Sequence, residues 1–483
     1  MSSDICLITA VELARLLQAG ELSAVEVVQA HLERIEAVNP RVNALVTVTA
    51  EQALDQARAA DAVLAAGGDL GPLHGIPMAH KDTHDTAGIR TTHGSPLFAH
   101  HIPERDELII ERIRAAGAIT LGKTNVPEFA AGSHTFNTLF GATRNPYDLD
   151  RSAGGSSGGA AAALACGMHS LADGSDMGGS LRNPASFCNV VGFRPSPGRV
   201  PTWPNPAAWS TMAVQGPMAR TVSDVALLLS VLAGPDPRSP IARSEPGALF
   251  APPLDCEVCG LRVAWSPDLG GAVPVDRAVR SVIEPAASVF AELGAHLEPD
   301  CPDLSGAEEV FRTLRAWQFA LGLGPLLAQR DSLKASLVRN IEAGHALSGN
   351  DIAAAELAHT ALFHRMREFF DRYDILVLPV SQVPPFPIDL EYPEAVDGEP
   401  VADYLAWMRS AYFISATGCP ALSVPAGFTA DGLPVGIQIV GPHGADRLVL
   451  EVGHAFEQAT RHGAVRPPIL ADAPVPARVT PAG

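Results

Sequence analysis

The sequence of 483 residues contains no run of about 18 uninterrupted apolar residues, so it predicts no membrane-spanning helix. Its opening stretch, Met1 to Leu17, has neither a basic start nor a small-residue cleavage site behind an apolar core, which argues against a secretory signal. A cytoplasmic location is therefore expected. Runs of Lys and Arg are also missing, and the formal net charge is −19. Such a surface repels phosphate backbones and anionic lipid, so neither nucleic acid nor a membrane is expected as a partner. Cysteine is scarce. Its seven copies (Cys6, Cys166, Cys188, Cys256, Cys259, Cys301 and Cys419) are odd in number and scattered, unlike a disulfide framework. Cys256-x-x-Cys259 has no second ligand pair at zinc spacing, so these read as structural thiols and no metal site is expected. Internal repeats are absent. Charged residues make up only 18% against 47% hydrophobic, which is enough apolar material for a large packed core.

Elements follow from periodicity and caps. Thr9 with Glu12, and Ser23 with Glu26, have capping-box spacing. Val25, Val28, Leu32 and Ile35 then recur at helical spacing until Asn39-Pro40, which should stop the helix. Further helices are expected over 50–66, 106–116, 158–165, 222–232 and 351–373, with residues 276–373 mainly helical. Short apolar runs at 118–121, 375–380, 421–424 and 435–440 read as strands. Alternating helices and strands imply an α/β fold with a covered sheet.

Two short motifs mislead. Gly117 to Thr124 fits a phosphate-binding pattern, G-x-x-x-x-G-K-T, but its middle residues Ala118 to Leu121 form an apolar strand, not a loop. Pro127 follows too soon for a phosphate-capping helix, and Lys123 is better placed in a structural hydrogen-bond network. Gly154 to Gly158 fits G-x-S-x-G, but the residues before it, Asn145 to Ser152, are a loop where a nucleophile elbow needs a strand. Nothing marks His443 or His454 as its histidine partner.

A larger pattern absorbs both. Gly75-Ile-Pro-Met-Ala-His-Lys81-Asp82 is followed by Gly154-Gly-Ser156-Ser-Gly-Gly159, then by Asp173-Gly-Ser-Asp-Met-Gly-Gly-Ser180-Leu-Arg182. Leu121 to Asn125, Gly141 to Pro146 and Gly432 to Gln438 add to it. Together these segments closely resemble the amidase signature family over most of the chain. The match is strongest from Gly71 to Val200 and weakest from Pro240 to Tyr373.

The resemblance implies one α/β unit over residues 1–475, with a central mixed sheet covered by helices on both faces. Within it, N-terminal helices span 1–66, the signature core 71–232, a mainly helical region about 276–373, and C-terminal strands and helices 374–470. It implies amide hydrolysis with Ser180 as nucleophile, Ser156 as proton relay behind a cis Gly155-Ser156 peptide, and Lys81 as a neutral base. The N–H groups of Met177, Gly178, Gly179 and Ser180 would form the oxyanion hole. Ser157, Asp176 and Arg182 would support the site from behind, Arg182 by holding the loop through a carboxylate. The chemistry fits these residue types. A serine hydroxyl needs a proton acceptor, and a lysine removed from water loses its charge more readily. No cofactor is implied. Three departures stand out: Ser175 replaces the common threonine, Met177 a smaller or branched residue, and His80 an apolar one. Strand alternation should point His80 away from Lys81.

The resemblance also implies that the loop before Asn145-Pro146 and the segment after Gly198-Arg199 line the substrate cavity; here they supply Phe136, Leu139, Trp203 and Trp209, an apolar cleft for aryl or medium alkyl amides, with anilides and urethanes sharing the same tetrahedral chemistry. The expected partner is a small-molecule amide, and a homodimer is the assembly the resemblance carries. The rival reading is the A subunit of a glutamine-dependent tRNA amidotransferase, which has the same triad and works with partner subunits.

Overall fold

The computed structural model describes residues 4–255 and 257–471. Eleven strands form one mixed sheet: β1 (Leu45–Val48), β2 (Pro77–Lys81), β3 (Ile119–Thr124), β4 (Leu171–Asp176), β5 (Val191–Arg194), β6 (Val214–Ala219), β7 (Arg262–Trp265), β8 (His296–Pro299), β9 (Ile375–Pro379), β10 (Ala421–Phe428) and β11 (Pro434–Val440). Their spatial order is β1-β3-β2-β4-β6-β5-β10-β11-β9-β7-β8. Strands β3, β2 and β4 run parallel, as do β9, β7 and β8. The stretch from β4 through β6, β5, β10 and β11 to β9 is antiparallel throughout. Helices flank the sheet, giving the α/β fold expected.

Before the signature core come α1 (Ala10–Gln18), α2 (Ala24–Val42) and α3 (Ala50–Ala65). Thr9 caps α1 by accepting the Glu12 N–H, and Ser23 with Glu26 closes a full capping box on α2. Asn39-Pro40 does not end α2, which continues to Val42 and stops at Asn43 in the left-handed conformation (φ 56°). Pro40 sits in the last turn, where few hydrogen bonds remain to be lost. Asn39 sets the true end: its Oδ1 accepts the N–H groups of Ala44 and Leu45, at 2.8 and 2.9 Å.

Through the core run α4 (Leu108–Ala115), α5 (Gly158–Ala165), α6 (Arg182–Phe187) and α7 (Val222–Leu232). Beyond it lie α8 (Arg277–Glu292), α9 (Ala307–Leu323), α10 (Ala335–His345), α11 (Gly349–Phe370), α12 (Arg409–Thr417) and α13 (Asp446–Thr460). Helix α5 is buried at every residue and carries nothing larger than alanine except Leu164. Small side chains let it approach the backbone around it: a Cβ on Gly159 would lie 2.4 Å from Asn125 N and 2.7 Å from Ala44 O. This close approach fixes the loop before α5, which holds Ser156, against the end of β3.

Lys123, from the misleading phosphate pattern, is the last residue but one of β3 and is fully buried, with Nζ 2.5 Å from His84 O and 2.7 Å from Thr86 Oγ1. Cys6, Cys166, Cys188 and Cys419 are buried free thiols and Cys259 is exposed, while Cys256 lies outside the described residues. Among the described residues, no helix is long and apolar enough to cross a membrane.

Replacing Gly159 with alanine should destabilise the protein by about 1–3 kcal/mol, the usual cost of overpacking a tight contact. Thermal or urea denaturation measures this, and an unchanged midpoint would contradict the close approach of α5.

Candidate active site

Lys81 ends β2 with its side chain wholly removed from water. Its Nζ donates to Ser156 Oγ at 2.8 Å and to Ser175 Oγ at 3.0 Å. Burial pushes its amine down to about 7, against the pull of the Asp176 and Asp173 carboxylates. Burial of this kind favours the neutral amine, which an exposed lysine rarely adopts at pH 7. The peptide Gly155-Ser156 is cis. Gly155 packs on the chain at Ser133 and His134, where a Cβ would meet backbone at 3.0 Å.

Ser180 follows β4 in the loop leading to α6. It shares one cavity of ≈ 130 Å³ with Ser156 and Ser175. Its carbonyl accepts the Ser157 N–H at 3.2 Å, which ties the two serine loops together. Among the described residues, no hydrogen bond joins Ser156 Oγ to Ser180 Oγ. The hydrogen-bonded chain therefore runs from Lys81 to Ser156, and Ser180 stands beside it across the cavity.

Asp176 shapes the loop that carries Ser180. Its carboxylate accepts the Gly179 N–H at 2.9 Å and the Leu181 N–H at 3.1 Å. Arg182 meets it with Nε at 3.0 Å and Nη2 at 2.9 Å, and Arg194 with Nη1 at 3.2 Å. Burial would raise the Asp176 carboxyl, but Arg182 and Arg194 hold it well below the usual carboxylate range. This geometry trims the expected oxyanion donors. Gly179 spends its N–H on Asp176, whereas the N–H groups of Met177, Gly178 and Ser180 meet no acceptor among the described residues. Ser157 contributes its N–H to Ser180, but its buried hydroxyl has no partner.

A second buried layer stands behind Lys81. Asp173 accepts from His80 Nδ1 at 2.8 Å, His84 Nδ1 at 2.5 Å and the Lys81 backbone N–H at 3.2 Å. His80 Nε2 lies 3.1 Å from Thr120 Oγ1. His80 and Lys81 thus take different side-chain partners, and the histidine reaches the lysine only through Asp173. Burial pushes the His80 imidazole down, with Asp173 opposing.

The expected cleft residues are elsewhere. Trp209 is 78% exposed. Lys334 Nζ covers the Phe136 ring at 4.4 Å, and Arg238 stacks on Trp203 at 4.6 Å. Leu139 is half-buried in a turn built on Asn137, whose Oδ1 accepts its N–H. None of the four lines the serine cavity. Its apolar wall is Phe129, Met177, Phe311, Phe319, Tyr404 and Met408. Most of these come from α9 and the segment before α12, where the signature text is weak or absent, and only Met177 had a sequence signal. A wider chamber of ≈ 340 Å³ adjoins it, sharing Phe129, Ser175, Met177 and Phe319 and adding His84, His93, Glu107 and Gln215. His443 sits beside Arg243 and His454 beside Ser223, so neither is placed with Ser156.

Replacing Asp176 with Asn leaves two arginines buried without their shared counter-charge. The expected loss is about 3–5 kcal/mol, read as a lower denaturation midpoint. A variant as stable as the parent would mean that other partners of Arg182 and Arg194 suffice.

Residues 26–450 match the Amidase family. The chain is 39% identical to the A subunit of the glutamyl-tRNA(Gln) amidotransferase from Acidothermus cellulolyticus, covering 98% of each chain. It is 37% identical to an acylamidase of Rhodococcus erythropolis, covering 95% of this chain and 96% of that one. Its fold superposes on a bacterial aryl acylamidase with a TM-score of 0.91 at 31% identity, over 98% of this chain and 100% of the other. On the family match, the near-complete coverage of these relatives and the shared fold, the chain belongs to the amidase signature family.

Proposed function

We propose that this chain hydrolyses a carboxamide carrying an aryl or medium alkyl group, through an acyl-enzyme on Ser180, with Ser156 relaying protons to Lys81. The observation that carries this reading is the 2.8 Å hydrogen bond to Ser156 from a fully buried Lys81, whose amine burial pushes down to about 7, on a cavity that Ser180 shares. In the first step neutral Lys81 takes the Ser156 proton while Ser156 takes that of Ser180. The Ser180 oxygen bonds to the carbonyl carbon, and the oxyanion settles on the N–H groups of Met177, Gly178 and Ser180. The C–N bond breaks as Ser156 returns a proton to the leaving nitrogen, and water then cleaves the ester by the same relay. The Ser156–Ser180 link closes in the substrate complex, as catalytic hydrogen bonds commonly tighten there. The aromatic wall of Phe129, Phe311 and Phe319 supports an apolar acyl group. Anilides and urethanes meet the same attack. The enzyme is proposed to be cytoplasmic and to fold as one unit.

The rival reading, one component of a glutamine-dependent amidotransferase, has the 39% relative in its favour. The cavity opposes it. Glutamine carries an α-ammonium that calls for a carboxylate, and no Asp or Glu lines the serine cavity among the described residues. Its one charged group, Arg315, lies 4.0 Å over the Phe319 ring and also bonds Asn340.

A fluorophosphonate should add once to the pure chain, on Ser180, and not at all to the Ser180→Ala variant, as read by intact mass and peptide mapping. Labelling on Ser156 instead would reverse the two serines. The pure chain should release acid from an aryl amide faster than ammonia from glutamine, and the opposite preference would favour the amidotransferase.

The pH dependence has a definite sign. A base must be neutral, so kcat/KM should fall as pH drops through about 7, where Lys81 takes up its proton. Asp173 favours the ammonium form, so Asp173→Asn should shift this acidic limb to lower pH. A limb that does not move would assign it to another group.

A further inference from the structure

We propose that Asp85, His93 and His101 form a binding site for one divalent transition-metal ion, zinc by its ligand chemistry, at the edge of the chamber beside the serine cavity. This goes beyond the hydrolytic reading and does not depend on it.

The three side chains converge although they span 17 positions of sequence numbering, from 85 to 101. Asp85 Oδ1 lies 3.4 Å from His93 Nε2 and 3.7 Å from His101 Nε2. The three ligand atoms all lie within 4.8 Å of one another. Tetrahedral zinc, with its ligands about 2.0–2.1 Å away, holds neighbouring donor atoms about 3.3 Å apart. The first separation matches, and small ring rotations would close the others.

A second observation concerns Asp85 Oδ1 itself. This atom is shielded from water and has no hydrogen-bond partner. His93 Nε2 faces this buried carboxylate oxygen at 3.4 Å, too long for a good hydrogen bond. A buried acceptor left in this state is costly unless a donor, a water or an ion fills the gap. Two imidazoles and one carboxylate suit zinc better than magnesium or calcium, which prefer oxygen ligands.

The imidazoles are held in place. Phe98 packs edge-on against both, with ring centroids 5.2 Å from His93 and 5.6 Å from His101, and Phe129 stacks on His93 at 6.1 Å. The Asp85 backbone is fixed as well, since its N–H donates to Glu107 Oε1 at 3.1 Å. Three ligands leave a fourth position for water. His93 also lines the chamber, so a bound ion would stand at its wall. Neutral imidazoles and one carboxylate around a dication give a net local charge of +1, favourable in a chain of net charge −19.

The test uses full-length protein, free of any affinity tag and stripped of metal by chelator dialysis. Zinc is titrated calorimetrically, and cobalt(II) serves as a spectroscopic probe. One zinc per chain should bind, and cobalt should give the visible bands of a low-coordinate nitrogen–oxygen site. His101→Ala and Asp85→Asn should each weaken zinc binding on the order of tenfold or more, since even residues that only orient ligands cost 10- to 100-fold. His100→Ala removes an exposed neighbouring imidazole and should leave affinity unchanged. Circular dichroism confirms that each variant is folded. Absence of saturable zinc binding would overturn the proposal and leave a plain carboxylate–imidazole ion pair. So would zinc binding that survives both ligand substitutions, or that is lost with His100→Ala.

Discussion

An ammonium group removed from water must either find a counter-charge or give up its proton, and the centre of this molecule is arranged around that choice. Lys81 is sealed at the end of β2 with two serine hydroxyls as its nearest side-chain partners. The carboxylates that could neutralise it are engaged elsewhere: Asp176 by two arginines, Asp173 by two histidines. Had either carboxylate paired directly with Nζ, the lysine would remain charged and useless as a base. The arginines are therefore more than loop braces. By claiming Asp176 they keep its carboxylate from pairing directly with the lysine, leaving only a weaker pull through space.

The same constraint explains the density of small residues nearby. A dry lysine needs backbone packed tightly on every side. Gly155 against Ser133 and His134, Gly159 against Asn125, and Gly174 against Leu181 and Ser157 are the places where that packing leaves no room for a Cβ. The glycines of the signature text are the steric imprint of water exclusion as much as of loop flexibility.

Legibility in the sequence varied with the kind of physics involved. Helices α5 and α7 could be read to the residue, because a run of small or aliphatic residues that follows a glycine loop or the Thr221 cap has few alternatives. The end of α2 was misread because proline in a last turn costs little and Asn39 outweighs it. The residues that converge at the active site were legible through motif spacing, since Lys81, Ser156 and Ser180 stand in loops and strand ends whose local text is distinctive. Their division of labour was less so: that Asp176 takes the Gly179 N–H emerges only from the folded loop. The cavity wall was not legible at all. Helix α9 was expected only as part of a mainly helical region, and that its Phe311 and Arg315 turn inward emerges from the fold. Trp209 was placed in the expected cleft by its position in the segment after Gly198-Arg199, as the family resemblance implies, and the chain there turns it to solvent.

Arg182 has a consequence for how the protein is made. Its guanidinium donates to Ala411 O, Ser415 Oγ and Gln438 Oε1, which lie 229, 233 and 256 residues further along the chain. In the sheet, β5 likewise waits for β10 as its outer neighbour. A ribosome that has finished the whole signature region has delivered every candidate catalytic side chain, but not the groups that set the Ser180 loop. The loop that carries Ser180 thus has its anchoring partners only once β11 has been synthesised and docked, so a product cut short before it would lack the groups that hold that loop.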